Sequence, residues 1–276
     1  MIDGFRSRTT GGAPDLAYLD SGGQRHSGGQ SHSGEQSREA LVLLHSLGTD
    51  HRLWEHCAAS LAEGHRVLVP DSRGHGGSGW AGALTVEDWV ADLGRVLEHA
   101  DVDKVALIGL SMGGVQAIAY AATYPSRVRA LVVADSFAEL DPGTARAKTS
   151  GLVARTSDMK ALADFYVEST FTVEPLPAAA ESVRDAIASM EPDAYAASAE
   201  TCFGARLDGA LDRIGSPTLV LWGDRDTKTP RELSERIAGR VRSARLEVVP
   251  GAGHLSTVEN PGEFTRLVCG FLTEND

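Results

Sequence analysis

Lys104-Val105-Ala106-Leu107-Ile108-Gly109-Leu110-Ser111-Met112-Gly113-Gly114 is the stretch on which the reading of this chain turns. A mostly apolar run leads into Gly109, and small residues at Gly113, Gly114, Ala117 and Ala121 follow at helical spacing. Gly-x-Ser-x-Gly between a strand and a helix reads as a nucleophile elbow, a sharp turn that holds the serine strained and its hydroxyl exposed. Glycine is needed two residues before and after, because a Cβ at either place would collide with the neighbouring strand or helix. The same turn aims the Met112 N–H at the point where an oxyanion would form, at a helix N-terminus that favours negative charge.

Alternation of strands and helices extends outward from the elbow. Upstream, Ala40–His45 reads as a buried strand, a helix follows near Trp54–Leu61, and His65–Pro70 is the next strand. A helix is expected from Val86 to Ala100, opened by Thr85 and Asp88 as a capping-box pair. Downstream, Val128–Ala134 is another apolar strand, and the alternation stops near Phe137. Residues 138–213 carry helix-like segments, such as Met159–Ser169 and Ala179–Met190, without a convincing strand. Strand signals return at Thr218–Trp222 and Arg245–Val249, each followed by a helix. Thr229-Pro230-Arg231-Glu232 and Asn260-Pro261-Gly262-Glu263 both read as an N-cap, a proline at the first helical position and an acid at the third. Alternating units with continuous apolar strands imply an α/β fold with a mostly parallel sheet covered on both faces. The expected division is a core at 1–136, a helical cap at 137–213 and the rest of the core at 214–276.

Length and composition agree with this. A chain of 276 residues with 42% hydrophobic and 23% charged residues fits one globular domain with an insertion. A net charge of −12 argues against nucleic acid or an anionic membrane as a partner, though a pocket can still be locally basic. The three cysteines, Cys57, Cys202 and Cys269, form neither a metal-ligand spacing nor a disulfide framework, so a reducing cytoplasm is the expected setting. No signal-like segment or membrane-length apolar run is visible. Residues 21–37, rich in Gly, Ser, Gln and His, read as a flexible loop between two early strands rather than a metal site. Nothing in the sequence specifies an oligomeric state.

A serine hydroxyl is a weak nucleophile, so it needs a base, and the base needs an orienting acid. For a serine on such an elbow, the acid and then the histidine follow later in the chain. Leu219-Val220-Leu221-Trp222-Gly223-Asp224-Arg225-Asp226 supplies two candidate acids just past a strand. Val248-Val249-Pro250-Gly251-Ala252-Gly253-His254 delivers the histidine after the last strand. A second oxyanion donor is expected in His45-Ser46-Leu47-Gly48-Thr49-Asp50, with the Leu47 N–H as the choice.

From about residue 15 to 273 this constellation resembles the α/β-hydrolase superfamily. Members share a Gly-x-x-Asp-x-x-x-Pro pattern after the penultimate core strand, and Gly223, Asp226 and Pro230 match it. The resemblance therefore implies Asp226, rather than Asp224, as the triad acid. Pro70-Asp71-Ser72-Arg73-Gly74-His75-Gly76-Gly77-Ser78 also looks like a family turn, with Arg73 and His75 read as structural. Within the superfamily, Ser46–Asp50 with Trp54, the elbow with Gly114, and His254–Pro261 with Phe264 look like 3-oxoadipate enol-lactonases. Pro192–Ala197 resembles a stretch of that branch too, whereas the 21–37 tract and Thr170-Phe171, where Trp-Phe is common, depart from it.

The expected function is that of a serine hydrolase acting on a small ester or lactone, with no cofactor and no metal. A carbon–carbon bond hydrolase or perhydrolase on the same triad, or a ligand-binding protein with little turnover, are the alternatives. Most of the nine histidines read as structural; His45 is expected to brace its loop by hydrogen bonding. Arg146, Lys148, Arg155, Arg184 and Arg206 are candidates to meet a substrate carboxylate, each with a solvated surface as the competing role. Cys202 reads as a small buried residue.

Overall fold

The computed structural model describes residues 2–22, 39–173 and 175–275. From residue 23 on, the expected loop at 21–37 lies outside them. Among the described residues eight strands form one sheet in the order β1-β2-β4-β3-β5-β6-β7-β8. They are β1 (Arg6–Thr9), β2 (Ala17–Asp20), β3 (Glu39–Leu44), β4 (Val67–Pro70), β5 (Lys104–Leu110), β6 (Val128–Ala134), β7 (Thr218–Gly223) and β8 (Ala244–Val249). β2 pairs antiparallel with both β1 and β4, and all other neighbours are parallel.

Both faces of this sheet are covered, which is why its central strands read as unbroken apolar runs. The pleat sends alternate residues to opposite faces. Ala106, Ile108 and Leu110 of β5 pack with Trp54, with Cys57 and Leu61 of α1 (Glu55–Leu61), and with Phe264 of the C-terminal helix Pro261–Glu274. Val105 and Leu107 point the other way, to Val90, Leu93 and Leu97 of α2 (Val86–His99) and Ala117 and Ile118 of α3 (Met112–Thr123). The Thr85–Asp88 capping box opens α2 as the sequence suggests. Every residue of α3 from Met112 to Ala122 is buried, and Gly113, Gly114 and four alanines let the helix pack closely on the sheet.

Between β6 and β7 the described residues form α4 (Pro142–Val153), α5 (Met159–Thr170), α6 (Pro177–Ala188), α7 (Pro192–Gly204) and a short 3-10 helix, Asp208–Arg213. α4 packs on α7 and α5 on α6. After β7 come α8 (Arg231–Arg240), then β8, the short α9 (Ser256–Glu259) and α10, the C-terminal helix. α10 starts as expected, with the Asn260 side chain accepting from Glu263 N. α8 starts one residue later than expected: Pro230 is its N-cap, and the Thr229 hydroxyl donates to Asp226 instead of capping. Among the described residues no helix is long and apolar enough to cross a membrane.

Candidate active site

The elbow stands at the end of β5, in the middle of the sheet. Ser111 has φ 55° and ψ −115°, a left-handed backbone that a residue with a Cβ adopts only under constraint. Its N–H donates to the Ala134 carbonyl of β6 at 2.9 Å, and its carbonyl accepts from Ser136 Oγ at 2.6 Å. A Cβ on Gly109 would overlap the Gly113 carbonyl, and one on Gly113 would overlap the Leu44 carbonyl of β3. Both glycines are therefore steric requirements of the turn.

Three loops at the same edge of the sheet bring Ser111, His254 and Asp226 together. Ser111 Oγ lies 2.9 Å from His254 Nε2, and His254 Nδ1 lies 2.9 Å from Asp226 Oδ2. This arrangement assigns the imidazole proton to Nδ1, facing the carboxylate, and leaves Nε2 to accept from the serine. Asp226 Oδ1 also accepts from Lys228 N at 2.7 Å and Thr229 N at 3.1 Å. Burial alone would raise the Asp226 carboxyl, but the charge and hydrogen bond of His254, with the Thr229 donors, hold it below the usual carboxylate range. The other candidate acid, Asp224, is exposed and accepts from Gly251 N at 2.7 Å.

The loop after β3 brings Leu47 to the same cavity as Ser111. Two buried histidines brace it. His45 Nδ1–H donates to the Ser46 carbonyl at 2.8 Å while Nε2 accepts from Ser72 N at 2.9 Å. His75 Nδ1–H donates to the Arg73 carbonyl at 3.1 Å and Nε2 accepts from Gly48 N at 3.2 Å. Each ring must be neutral to accept at Nε2; burial pushes His45 below its ordinary value and His75 down to about 3. Gly48 has φ 76°, and a Cβ there would strike Ile187 and Tyr195. Met112 is the first residue of α3, where helix geometry supplies no intrahelical acceptor for its N–H.

Ser111 and His254 open into a cavity of about 360 Å³. Its apolar wall is Phe137, Leu152, Phe165 and Phe203. Among the described residues Lys148, Arg155 and Lys228 also line it, and none of the described lining residues is acidic. Lys148 Nζ donates to the Lys228 carbonyl at 3.0 Å, and Lys228 Nζ donates to Ser169 Oγ at 3.2 Å and sits 5.4 Å from the Tyr166 ring centroid. Among the described residues neither amine has a carboxylate partner within salt-bridge distance. Burial, then the neighbouring Lys148 charge, pushes Lys228 down to about 8; Asp226 opposes this. Burial also lowers Lys148. The Arg155 guanidinium stacks 4.2 Å from the Phe165 centroid.

Of the five cations singled out in the sequence, Lys148 and Arg155 reach the cavity. Arg184 pairs with Asp164, Arg206 with Glu139, and Arg146 is exposed. Sequence reasoning missed Lys228, although it stands two residues past Asp226 on the same loop. Cys202 is buried. Asp50, His51 and Asp71 cluster among the described residues, but Asp50 is paired with Arg52, and Asp71 accepts from His51 and Gly77. Arg73 pairs with buried Asp92.

A profile of the alpha/beta hydrolase fold matches residues 39–261. The 3-oxoadipate enol-lactonase 2 of Acinetobacter baylyi is 28% identical over 235 residues, covering 84% of this chain and 87% of that protein. The 2-hydroxy-6-oxo-2,4-heptadienoate hydrolase of Pseudomonas putida is 29% identical, covering 86% and 90%. The crystal structure of the enol-lactonase from Burkholderia xenovorans LB400 superimposes with a TM-score of 0.84 at 28% identity, covering 95% of this chain and 97% of that one. Strand order, elbow and profile agree: this chain belongs to the α/β-hydrolase family and is similar to its enol-lactonases.

Proposed function

We propose that the protein is a serine hydrolase that opens a lactone or cleaves a small carboxylic ester through an acyl-enzyme. The continuous hydrogen-bond chain Ser111–His254–Asp226 carries this reading. His254 takes the Ser111 proton at Nε2 as Oγ attacks the substrate carbonyl, while Asp226 orients the ring and stabilises its charge. The Leu47 and Met112 amides hold the oxyanion of the tetrahedral intermediate; removing one such donor typically costs about 10²–10³ in turnover. The protonated His254 then returns its proton to the leaving alcohol, and later activates the water that releases the acid. With a lactone the alcohol remains tethered to the acyl group, so water must reach the acyl-enzyme before the ring closes again.

Residues 137–213 act as the cap between the two parts of the core, 1–136 and 214–276. From the cap, Lys148 and Arg155 face the cavity, and Lys228 joins them from the core loop. The cations Lys148, Arg155 and Lys228, with no acid among the described residues that line the wall, favour a substrate that carries a carboxylate, such as 3-oxoadipate enol-lactone. Initial rates on that lactone and on p-nitrophenyl acetate, for wild type and Ser111→Ala, test the reading. Serine-dependent preference for the lactone is the expected result. Turnover that survives Ser111→Ala would remove the mechanism, and serine-dependent activity on the neutral ester alone would remove the substrate. The likeness to a heptadienoate hydrolase favours carbon–carbon cleavage as the second reading. Mass spectrometry of the products separates the two, since only that reaction breaks the carbon skeleton.

A further inference from the structure

β6 ends in a turn whose two side chains reach all three triad loops. Asp135 has φ 46°, a left-handed backbone like that of Ser111 at the end of the neighbouring strand. Such a conformation persists only where the surroundings over-determine it. Its side chain is fully buried. Oδ1 accepts from Gly223 N at 2.7 Å, three residues before Asp226. Oδ2 accepts from Ser256 Oγ, two residues after His254. The next side chain, Ser136, donates its hydroxyl to the Ser111 carbonyl at 2.6 Å. Gly114 makes room for it, since a Cβ at Gly114 would press on Ser136.

We propose that Asp135 and Ser136 are positioning residues that together set the spacing of Ser111, Asp226 and His254. The proposal rests on the serine-hydrolase reading. Two buried carboxyls so near each other are not both ionised at low cost. Burial first, then the negative charges of Asp226 and Glu259, hold the Asp135 carboxyl well above the usual range, against the Gly223 and Ser256 hydrogen bonds. By geometry the Asp135 carboxyl accepts from Gly223 N and from Ser256 Oγ, and so ties the Asp226 and His254 loops to the end of β6. Asparagine keeps an oxygen for Gly223 N and turns an amide donor to the Ser256 hydroxyl, which can accept as well as donate, so both ties are retained.

The test uses Asp135→Asn, Asp135→Ala, Ser256→Ala and Ser136→Ala in the full chain, each checked for folding by circular dichroism. The second-order rate of Ser111 labelling by a fluorophosphonate, read by intact mass, is measured beside kcat, KM and the pH profile for p-nitrophenyl acetate. Asp135→Asn is expected to keep the wild-type labelling rate and pH profile. Asp135→Ala is expected to lose about ten- to a hundred-fold in labelling and kcat with KM unchanged, because small misplacements of reacting groups are that costly. Ser256→Ala and Ser136→Ala should each show the same pattern in weaker form, and they carry the test if Asp135→Ala does not fold. Equal impairment in Asn and Ala variants, or none in any of the alanine variants, overturns the positioning role while leaving the triad intact. If wild-type protein does not react with the fluorophosphonate, the serine-hydrolase reading falls and the positioning role falls with it.

Discussion

The cavity has two walls built by different means. On one side, backbone defines the site: the Leu47 loop, the Ser111 turn and the loops that carry Asp226 and His254 issue from the ends of β3, β5, β7 and β8. On the other, side chains define it: Lys148, Arg155, Phe165 and Tyr166 project from α4 and α5 or the link between them. The backbone wall tolerates almost no substitution, as the glycine contacts at 109 and 113 show. The side-chain wall has no such steric lock, so its residues can change with the substrate.

The largest expected effects test the backbone wall. Ser111→Ala should lower turnover about 10⁶-fold, since losing the nucleophile costs as much as losing the whole triad. Asp226→Asn should cost about 10⁴, through the wrong imidazole tautomer. Its neighbour sharpens the contrast: Asp224→Asn, altering an exposed side chain that only holds Gly251 N, should leave kcat near wild type. Steady-state kinetics on p-nitrophenyl acetate check all three. A large loss at Asp224 with none at Asp226 would exchange their roles.

The two walls also differ in how far they could be read from the sequence. β5 and β6 fall where the apolar runs put them, and Ser111, Asp226 and His254 meet as their chain order implies. Sheet positions are legible because burial on both faces leaves a continuous apolar signature, and because strand order fixes which loops share an edge. α4 was not legible. Pro142–Val153 has only Ala145 buried, because Ala147, Lys148, Gly151 and Leu152 face the cavity instead of a packed core. A helix that borders a cavity loses the apolar stripe by which helices are recognised. β1 has four exposed residues at a sheet edge, so it too gave no period to read. Asp135 escaped notice for another reason: a lone acid after an apolar strand reads as a turn, and only the fold shows it buried between two loops.

Intermediate effects belong to the side chains that line the cavity, including Lys228, which reaches it from the Asp226 loop. Replacing Lys228 by Met should raise KM for 3-oxoadipate enol-lactone about ten- to a hundred-fold, the value of one charge-assisted contact, with kcat little changed. p-Nitrophenyl acetate should not respond, because it offers the amine no anion. The pH profile adds a second check. Lys228 is pushed down to about 8, so its positive charge fades as pH rises through that value. For an anionic substrate kcat/KM should then fall above pH 8, a limb absent for the neutral ester and from Lys228→Met. An alkaline limb that persists in Lys228→Met would take the anion contact away from this residue.

The smallest expected effect returns to the backbone wall and appears in stability more than in rate. His75 is neutral in the folded protein because Gly48 N donates to its Nε2 and burial holds it down to about 3. In the unfolded chain it titrates near 6.5, so between about pH 6.5 and 3 the unfolded state binds the extra proton. The contribution of His75 is complete above pH 6.5 and is lost as pH falls toward 3, at up to about 1.4 kcal/mol per pH unit. His45, lowered by the same burial, steepens the slope. Urea unfolding at pH 7, 6 and 5 should show stability falling with pH. His75→Phe should flatten that slope by up to one proton while lowering stability at pH 7 by about 1–3 kcal/mol, since Gly48 N loses its acceptor. An unchanged slope in His75→Phe would mean that the ring is protonated in the folded state. It could not then accept from Gly48, and the loop bearing Leu47 would need another brace.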